Sequence, residues 1–217
     1  MSAKRKTRPH VRKTFHHGDL RRALLEAGIQ LAREGGPDAI VLREATRRSG
    51  VVPNAAYRHF ASHHELLQAV RAAALSSLAL AIEDEITGLG PSKRSAHFAR
   101  ATLRAVGTGY LKFALTETGL FRTAFSVRDP IESDVDAAKT GKSGLNPFQL
   151  LGSALDMMVK ARALPAERRP AAEYLAWSAV HGLAFLVIDG PLHTVTPDEI
   201  AALSERLILM VEKGLSS

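Results

Sequence analysis

VLREATRRSGVVPNAAYRHF (residues 41–60) predicts two short helices joined by a tight turn. Leu42, Ala45 and Thr46 have the i, i+3, i+4 spacing that gives a helix one buried face. Gly50 ends this helix, because glycine readily takes the left-handed conformation that a sharp turn requires. Pro53 then begins a second helix, at a position where its missing N–H costs nothing. A polar second helix of this kind is typical of a helix-turn-helix, which places that helix in the major groove of DNA.

An ordinary helical hairpin has the same pattern, and the distribution of charge separates the two interpretations. Residues 1–60 carry thirteen Lys and Arg against five acids, whereas the rest of the chain carries sixteen against seventeen. The whole excess of +7 therefore lies in and around the hairpin. A basic lobe on a neutral body is the electrostatic pattern of a module that binds a polyanion.

The sequence on both sides of the hairpin resembles a known family. FHHGDLRRALLEAGIQLAREGG (15–36) and VLREATRRSGVVPNAAYRHFASHHELLQAV (41–70) look like the N-terminal domain of TetR-family transcriptional regulators. The matching features are an amphipathic first helix ending in Gly-Gly, the hairpin, Tyr-x-His-Phe and an acid-Leu-Leu helix. The resemblance implies a sequence-specific DNA-binding regulator, most often a ligand-responsive repressor, that binds a palindromic operator as a homodimer.

The predicted fold is all-α, with two domains behind a basic arm. Residues 1–16 are expected to be disordered in free protein, either as a solvated tail or as an arm that contacts DNA. Residues 17–77 form the helix-turn-helix domain, and residues 78–217 form a ligand-sensing and dimerisation domain. Helices are predicted at 19–34, 42–49, 53–59, 62–87, 147–161, 171–189 and 196–213, with one long helix and part of another in 92–127 and a mobile loop at 128–146.

The second hairpin helix needs short polar groups for base edges and cations for phosphates. Asn54 is the side chain best suited to a base edge, and Ala55 and Ala56 offer methyl contacts. The resemblance implies that Tyr57 and His63 donate to phosphates. His59 has an alternative structural role beside Phe60. The predicted DNA-binding residues are Arg12, Lys13, Arg43, Pro53, Asn54, Ala55, Ala56, Tyr57, Arg58, His59 and His63.

Three positions depart from the family pattern. His63 stands where the family usually has a lysine, His64 where it often has an acid, and Val52 where it often has Ser or Thr. Because histidine gains its charge only below about pH 7, we expect DNA affinity to tighten as the pH falls from 8 to 6. DNA titrations across this range measure the effect, and a flat affinity would contradict it.

The body of the chain carries a second resemblance. Trp177-Ser-Ala-Val-His181-Gly182 looks like the Trp-His-Gly (WHG) signature of one class of TetR-family C-terminal domains, which implies a ligand-sensing, dimerising body. Helices 171–189 and 196–213 have apolar faces too wide for one core, so we expect each to pair with its copy in a four-helix bundle. Large side chains could enclose an apolar pocket for a small-molecule effector, although simple core packing is the favoured explanation for any single one of them. The pocket candidates are Phe98, Tyr110, Phe113, Phe121, Phe125, Met158, Trp177 and His181, together with Phe148 and Met157.

Composition and motifs exclude several other classes. The chain has no cysteine, which excludes disulfides and zinc–thiolate sites, and it has no run of about 18 apolar residues to span a membrane. We therefore expect a cytoplasmic protein. His59 and His63 lack a carboxylate that would complete a metal site, and no catalytic or cofactor motif is present. The alternatives are a non-specific nucleoid-type nucleic-acid binder and a protein-interaction adaptor with a degenerate hairpin.

Overall fold

The computed structural model describes residues 17–50, 53–91, 95–127 and 136–216. Every regular element among them is helical, which confirms the all-α prediction. The α-helices are α1 (His17–Gly35), α2 (Leu42–Ser49), α3 (Pro53–Ala56), α4 (His63–Gly88), α5 (Ala96–Thr116), α6 (Thr118–Ala124), α7 (Pro147–Lys160), α8 (Ala172–Ile188) and α9 (Pro197–Ser216). Short 3₁₀ helices lie at Pro37–Ala39, Ala137–Lys139 and Ala166–Arg168.

The hairpin has the buried face and turn that its sequence predicts. Leu42, Ala45 and Thr46 are the buried residues of α2, and Gly50 follows with a φ of 68°. The second helix is shorter than predicted and ends at Ala56 rather than His59. The next backbone N–H groups, those of Arg58 and His59, bond three residues back, so the chain tightens into turns here.

Helix α4 connects the hairpin to the rest of the protein. Its N-terminus is capped by the Ser62 hydroxyl, which accepts from the Glu65 N–H at 3.1 Å. The Glu65 carboxylate accepts from the N–H of Ala61 at 2.7 Å and so adds a second side-chain contact at this end of the helix. By length and composition α4 is apolar enough to cross a membrane, but half of its most apolar window is buried inside the fold. A core helix of a soluble protein has the same properties, so this is weak evidence for a span.

The segment before α7 corrects the prediction of a mobile loop at 128–146. Residues 128–135 lie outside the described residues, but residues 136–146 are held against α4. The Ser76 hydroxyl donates to the Thr140 carbonyl at 2.7 Å. The Glu83 carboxylate accepts from the backbone N–H groups of Lys142 and Ser143 at 2.7 and 2.9 Å. A polar, Gly- and Ser-rich segment is ordered here because a helix supplies partners for its backbone.

Candidate DNA interface and ligand cavity

The outer surface of the hairpin presents some of the predicted DNA-binding side chains and not others. Arg43, Arg58 and His63 are exposed, and the Tyr57 side chain is 59% exposed, which is unusual for a tyrosine without a partner surface. Ala55 is half-buried. Ala56 is fully buried, which corrects its assignment to the interface, because its methyl group packs into the core.

Other predicted contacts fall on parts of the chain that the structure does not describe. Arg12 and Lys13 lie outside the described residues, and so do Val51 and Val52. The backbone of Pro53 and Asn54 belongs to α3, while their side chains lie outside the description. His59 is half-buried next to the fully buried Phe60, as its alternative structural role requires.

Two arginines of the basic lobe are paired within the protein, which the sequence did not reveal. Arg47 and Arg48 both donate to the Glu44 carboxylate, at 2.7–2.9 Å. Arg48 also reaches Glu34 on α1 through two hydrogen bonds of 2.6 and 2.8 Å. The hydrogen bonds from Arg47 and Arg48 lower the pKa of Glu44 to about 2. These pairs orient α2 on α1, and they tie two cations of the basic lobe to Glu34 and Glu44.

The body contains a partly open cavity of about 70 Å³. Of the pocket candidates, Tyr110, Phe125, Phe148 and Trp177 line it. Phe98, Phe113, Phe121 and Met158 are buried in the core and do not line this cavity. Met157 and His181 also do not line it, although His181 lies directly behind the wall. The full lining is Leu75, Ile82, Leu103, Val106, Gly107, Tyr110, Phe125, Lys139, Asn146, Pro147, Phe148, Leu151, Ala176, Trp177, Val180, Ile208 and Val211.

A hydrogen-bonded aromatic group forms one wall of the cavity. The Tyr110 hydroxyl accepts from the Trp177 indole N–H at 3.1 Å and is hydrogen-bonded to Nδ1 of His181 at 2.7 Å. The rings of Phe125 and His181 meet edge to face, with centroids 4.9 Å apart. Burial raises the pKa of Tyr110 and lowers the pKa of His181. Trp177 and His181 of the sequence signature therefore both bond to Tyr110, and Trp177 also lines the cavity.

The lowered pKa of His181 predicts a pH-dependent stability. In the unfolded chain this histidine binds a proton more readily, so protonation favours unfolding. Its contribution to stability is expected to be complete above about pH 6.5 and to fall as the pH drops through the folded pKa. Unfolding free energies of wild type and His181→Gln between pH 5 and 7.5 measure this. Equal pH slopes for the two proteins would exclude His181 as the cause.

Helix α6 links the cavity to the DNA-binding end. Its C-cap residue, Phe125, lines the cavity, and the preceding Ala124 carbonyl accepts from the buried Arg71 of α4 at 3.1 Å. At the other end of α6, Glu117 is paired with Arg33 of α1 at 2.9 Å. One short helix therefore contacts the cavity, α4 and α1.

Comparisons with known proteins agree with this architecture. Residues 24–70 match the family model described as bacterial regulatory proteins of the tetR family, and residues 103–211 match the tetracyclin repressor-like C-terminal domain. The C-terminal match alone covers half of the chain. The chain belongs to the TetR family. It is a DNA-binding transcription regulator, and TetR-family members are regulators rather than enzymes. The WHG class is not confirmed by these matches and stays a prediction from the signature residues.

Solved structures share the fold of this TetR-family chain. A protein with unknown function from Rhodococcus sp. RHA1 has a TM-score of 0.71 and 24% identity, covering 94% of this chain and 100% of its own. A candidate regulatory protein, SCO4313, has a TM-score of 0.59 and 17% identity, covering 90% of this chain and 96% of its own. Identities this low show the fold alone. Among curated proteins, none is significantly similar to this TetR-family member.

Proposed function

We propose that the protein is a homodimeric repressor that binds a near-palindromic operator and releases it when a small molecule occupies the cavity. The observation that carries this proposal is the position of α6, which borders the cavity at Phe125 and contacts the DNA-binding end at Glu117. In this proposal residues 17–77 bind DNA and residues 78–217 sense the ligand and dimerise. Residues 1–16 act as a DNA-contacting arm, and the protein acts in the cytoplasm with its DNA.

Dimerisation is supported by an apolar surface on the last two helices. Seven of the ten large apolar side chains that are exposed within the described residues lie on α8 and α9. A monomer rarely exposes a contiguous apolar surface of this kind unless it binds a partner. The seven are Tyr174, Leu175, Phe185, Leu186, Leu203, Leu209 and Met210.

Pairing through α8 and α9 gives the geometry that a palindromic operator requires. A two-fold dimer presents two copies of α3, and we expect them to lie about 34–36 Å apart in successive major grooves. The ligand acts only if it binds the conformation that cannot bind DNA more tightly than the one that can, since equal affinity for both leaves their populations unchanged. In this mechanism a tilt of α4 changes the distance between the two copies of α3.

Loss of the Asn54 amide is expected to relax the operator sequence at one position of each half-site. A good bidentate contact to a base contributes about 1–3 kcal/mol of discrimination. Selection of bound sequences from a random duplex pool, at near-physiological salt, tests this with wild type and Asn54→Ala. Gln30→Ala is the matched control, because it removes an exposed amide from α1 instead.

The same selection experiment distinguishes a sequence-specific regulator from a non-specific nucleic-acid binder. A palindrome with half-sites one turn apart, relaxed at one position by Asn54→Ala alone, supports the proposal. Enrichment of no motif, with binding that fades steadily as salt rises, would instead indicate a non-specific electrostatic binder.

A further inference from the structure

We propose that the ligand of this cavity carries an aromatic ring, which lies against a wall of four aromatic side chains. The inference deepens the ligand-responsive function proposed above and rests on it. It follows from which side chains line the cavity, how they are held and how much space they leave.

Aromatic side chains are concentrated around the cavity. The chain has twelve of them, eight Phe, three Tyr and one Trp, and four of the twelve belong to the lining. Phe125 lies between two of these four, with its ring centroid 6.2 Å from that of Tyr110 and 6.1 Å from that of Trp177. Phe148 extends the row, with its centroid 6.3 Å from that of Trp177. The four rings together form one continuous surface, the aromatic wall.

The aromatic wall is held in place from behind. The Tyr110 hydroxyl is hydrogen-bonded to both Trp177 and His181, at 3.1 and 2.7 Å. Phe121, which does not line the cavity, packs against Phe125 with ring centroids 5.1 Å apart and meets Tyr110 edge to face at 5.8 Å. Because these contacts are made within the protein itself, the wall is already arranged for a ligand, which lowers the entropic cost of binding.

The rest of the lining is mostly aliphatic and does not distinguish one hydrocarbon from another. Leu75 and Ile82 come from α4, and Ile208 comes from α9. Aliphatic contacts are non-directional and depend mainly on the apolar area that is buried. Contacts between aromatic rings add about two- to tenfold in affinity for each pair, because the negative face of one ring attracts the positive edge of another. The aromatic wall is therefore the part of the cavity that selects a ligand.

The size of the cavity limits how large the ring system can be. At roughly 10–15 Å³ for each water molecule, the cavity of about 70 Å³ holds about five of them. Five water molecules fill about 150 Å³ of liquid, and an apolar protein cavity of about 150 Å³ is large enough to bind benzene. The cavity therefore holds a single aromatic ring with a small substituent.

Benzyl alcohol and cyclohexylmethanol make a matched pair of probes. Both are uncharged, have the same number of non-hydrogen atoms and carry the same hydroxyl group, so they differ only in whether the ring is aromatic. Burial alone favours cyclohexylmethanol, because its saturated ring has the larger apolar surface. A preference for benzyl alcohol therefore reports contacts with the aromatic wall.

Trp177 allows occupancy to be measured without a label. It is the only tryptophan in the chain, and it lines the cavity. Its emission is followed while each probe is titrated into the full-length protein. We expect a saturable change with both probes, and we expect benzyl alcohol to bind at least about threefold more tightly than cyclohexylmethanol, as the attraction between aromatic rings implies.

Two variants test the aromatic wall. Phe148→Leu removes a half-buried ring from the wall. It should weaken benzyl alcohol binding about threefold while leaving cyclohexylmethanol binding unchanged, since only a contact between rings is lost. Phe98→Leu is the matched control, because it removes a buried ring from the first turn of α5 that does not line the cavity. It should leave the affinities for both probes unchanged.

The contrary outcomes are specific. Binding of cyclohexylmethanol as tight as that of benzyl alcohol, equal effects of Phe148→Leu on the two probes, or no change in Trp177 emission with either probe would overturn the proposed ligand class. Operator affinity with and without benzyl alcohol is measured separately. A preference for benzyl alcohol that leaves operator affinity unchanged would keep the ligand class and refute the ligand-responsive function.

Discussion

Replacing Leu175 and Phe185 of α8 by glutamate is expected to produce a folded monomer that binds its operator at least a hundredfold more weakly than wild type. The two side chains are 65% and 55% exposed in one chain, so the substitutions leave the core intact. In the proposed dimer they are buried against the second copy, where unpaired carboxylates cost several kcal/mol each. A monomer contacts only one half-site of the operator. Because linking two binding sites raises the overall affinity roughly 10²- to 10⁴-fold, loss of the dimer loses that gain.

Sedimentation velocity and operator titration measure the two parts of this prediction. The matched control is Leu89→Glu, which places the same charge on an apolar side chain that is 38% exposed at the C-terminal end of α4. We expect the control to stay dimeric with unchanged DNA affinity. A double variant that remains dimeric would mean that α8 is not the dimer interface.

Local chemistry made much of the fold predictable from the sequence. The spacing of Leu42, Ala45 and Thr46 and the left-handed Gly50 each depend on residues close in the chain. Such features are encoded by periodicity and capping, which a single sequence displays. The bounds of α4, α7 and α9 follow for the same reason, to within a few residues.

The features that escaped prediction depend on partners far apart in the chain. Glu83 holds residues 142 and 143, and no local pattern connects them. Glu212 of α9 is only 5% exposed and is paired with Arg104 of α5, which fixes one helix on the other. Aromatic candidates were ambiguous for the same reason, since Tyr110 and Phe113 both belong to α5 and only the packing shows that Tyr110 lines the cavity.

Gly119 is the glycine at which we expect an added methyl group to lower the free energy of unfolding most. It lies in the first turn of α6, where the helix touches the C-terminal end of α1. A Cβ atom on it would lie 2.1 Å from the Ala32 carbonyl oxygen and 2.7 Å from that of Arg33. Both are backbone atoms, which cannot rotate aside as a side chain can. Gly119→Ala must therefore push α6 away from α1 or distort one of them.

The expected cost is about 2–3 kcal/mol of unfolding free energy, the upper part of the range for an overpacked core. Operator affinity should fall as well, because the displaced contact is the one between the N-terminal end of α6 and α1, which joins α6 to the DNA-binding end. Urea unfolding and operator titration measure both quantities. Gly88→Ala is the control, since no atom lies within 4 Å of its added Cβ, and alanine in a helix is favoured by up to about 1 kcal/mol. If the two variants behaved alike, the contact between α6 and α1 could not be the connection through which the cavity controls the DNA-binding end.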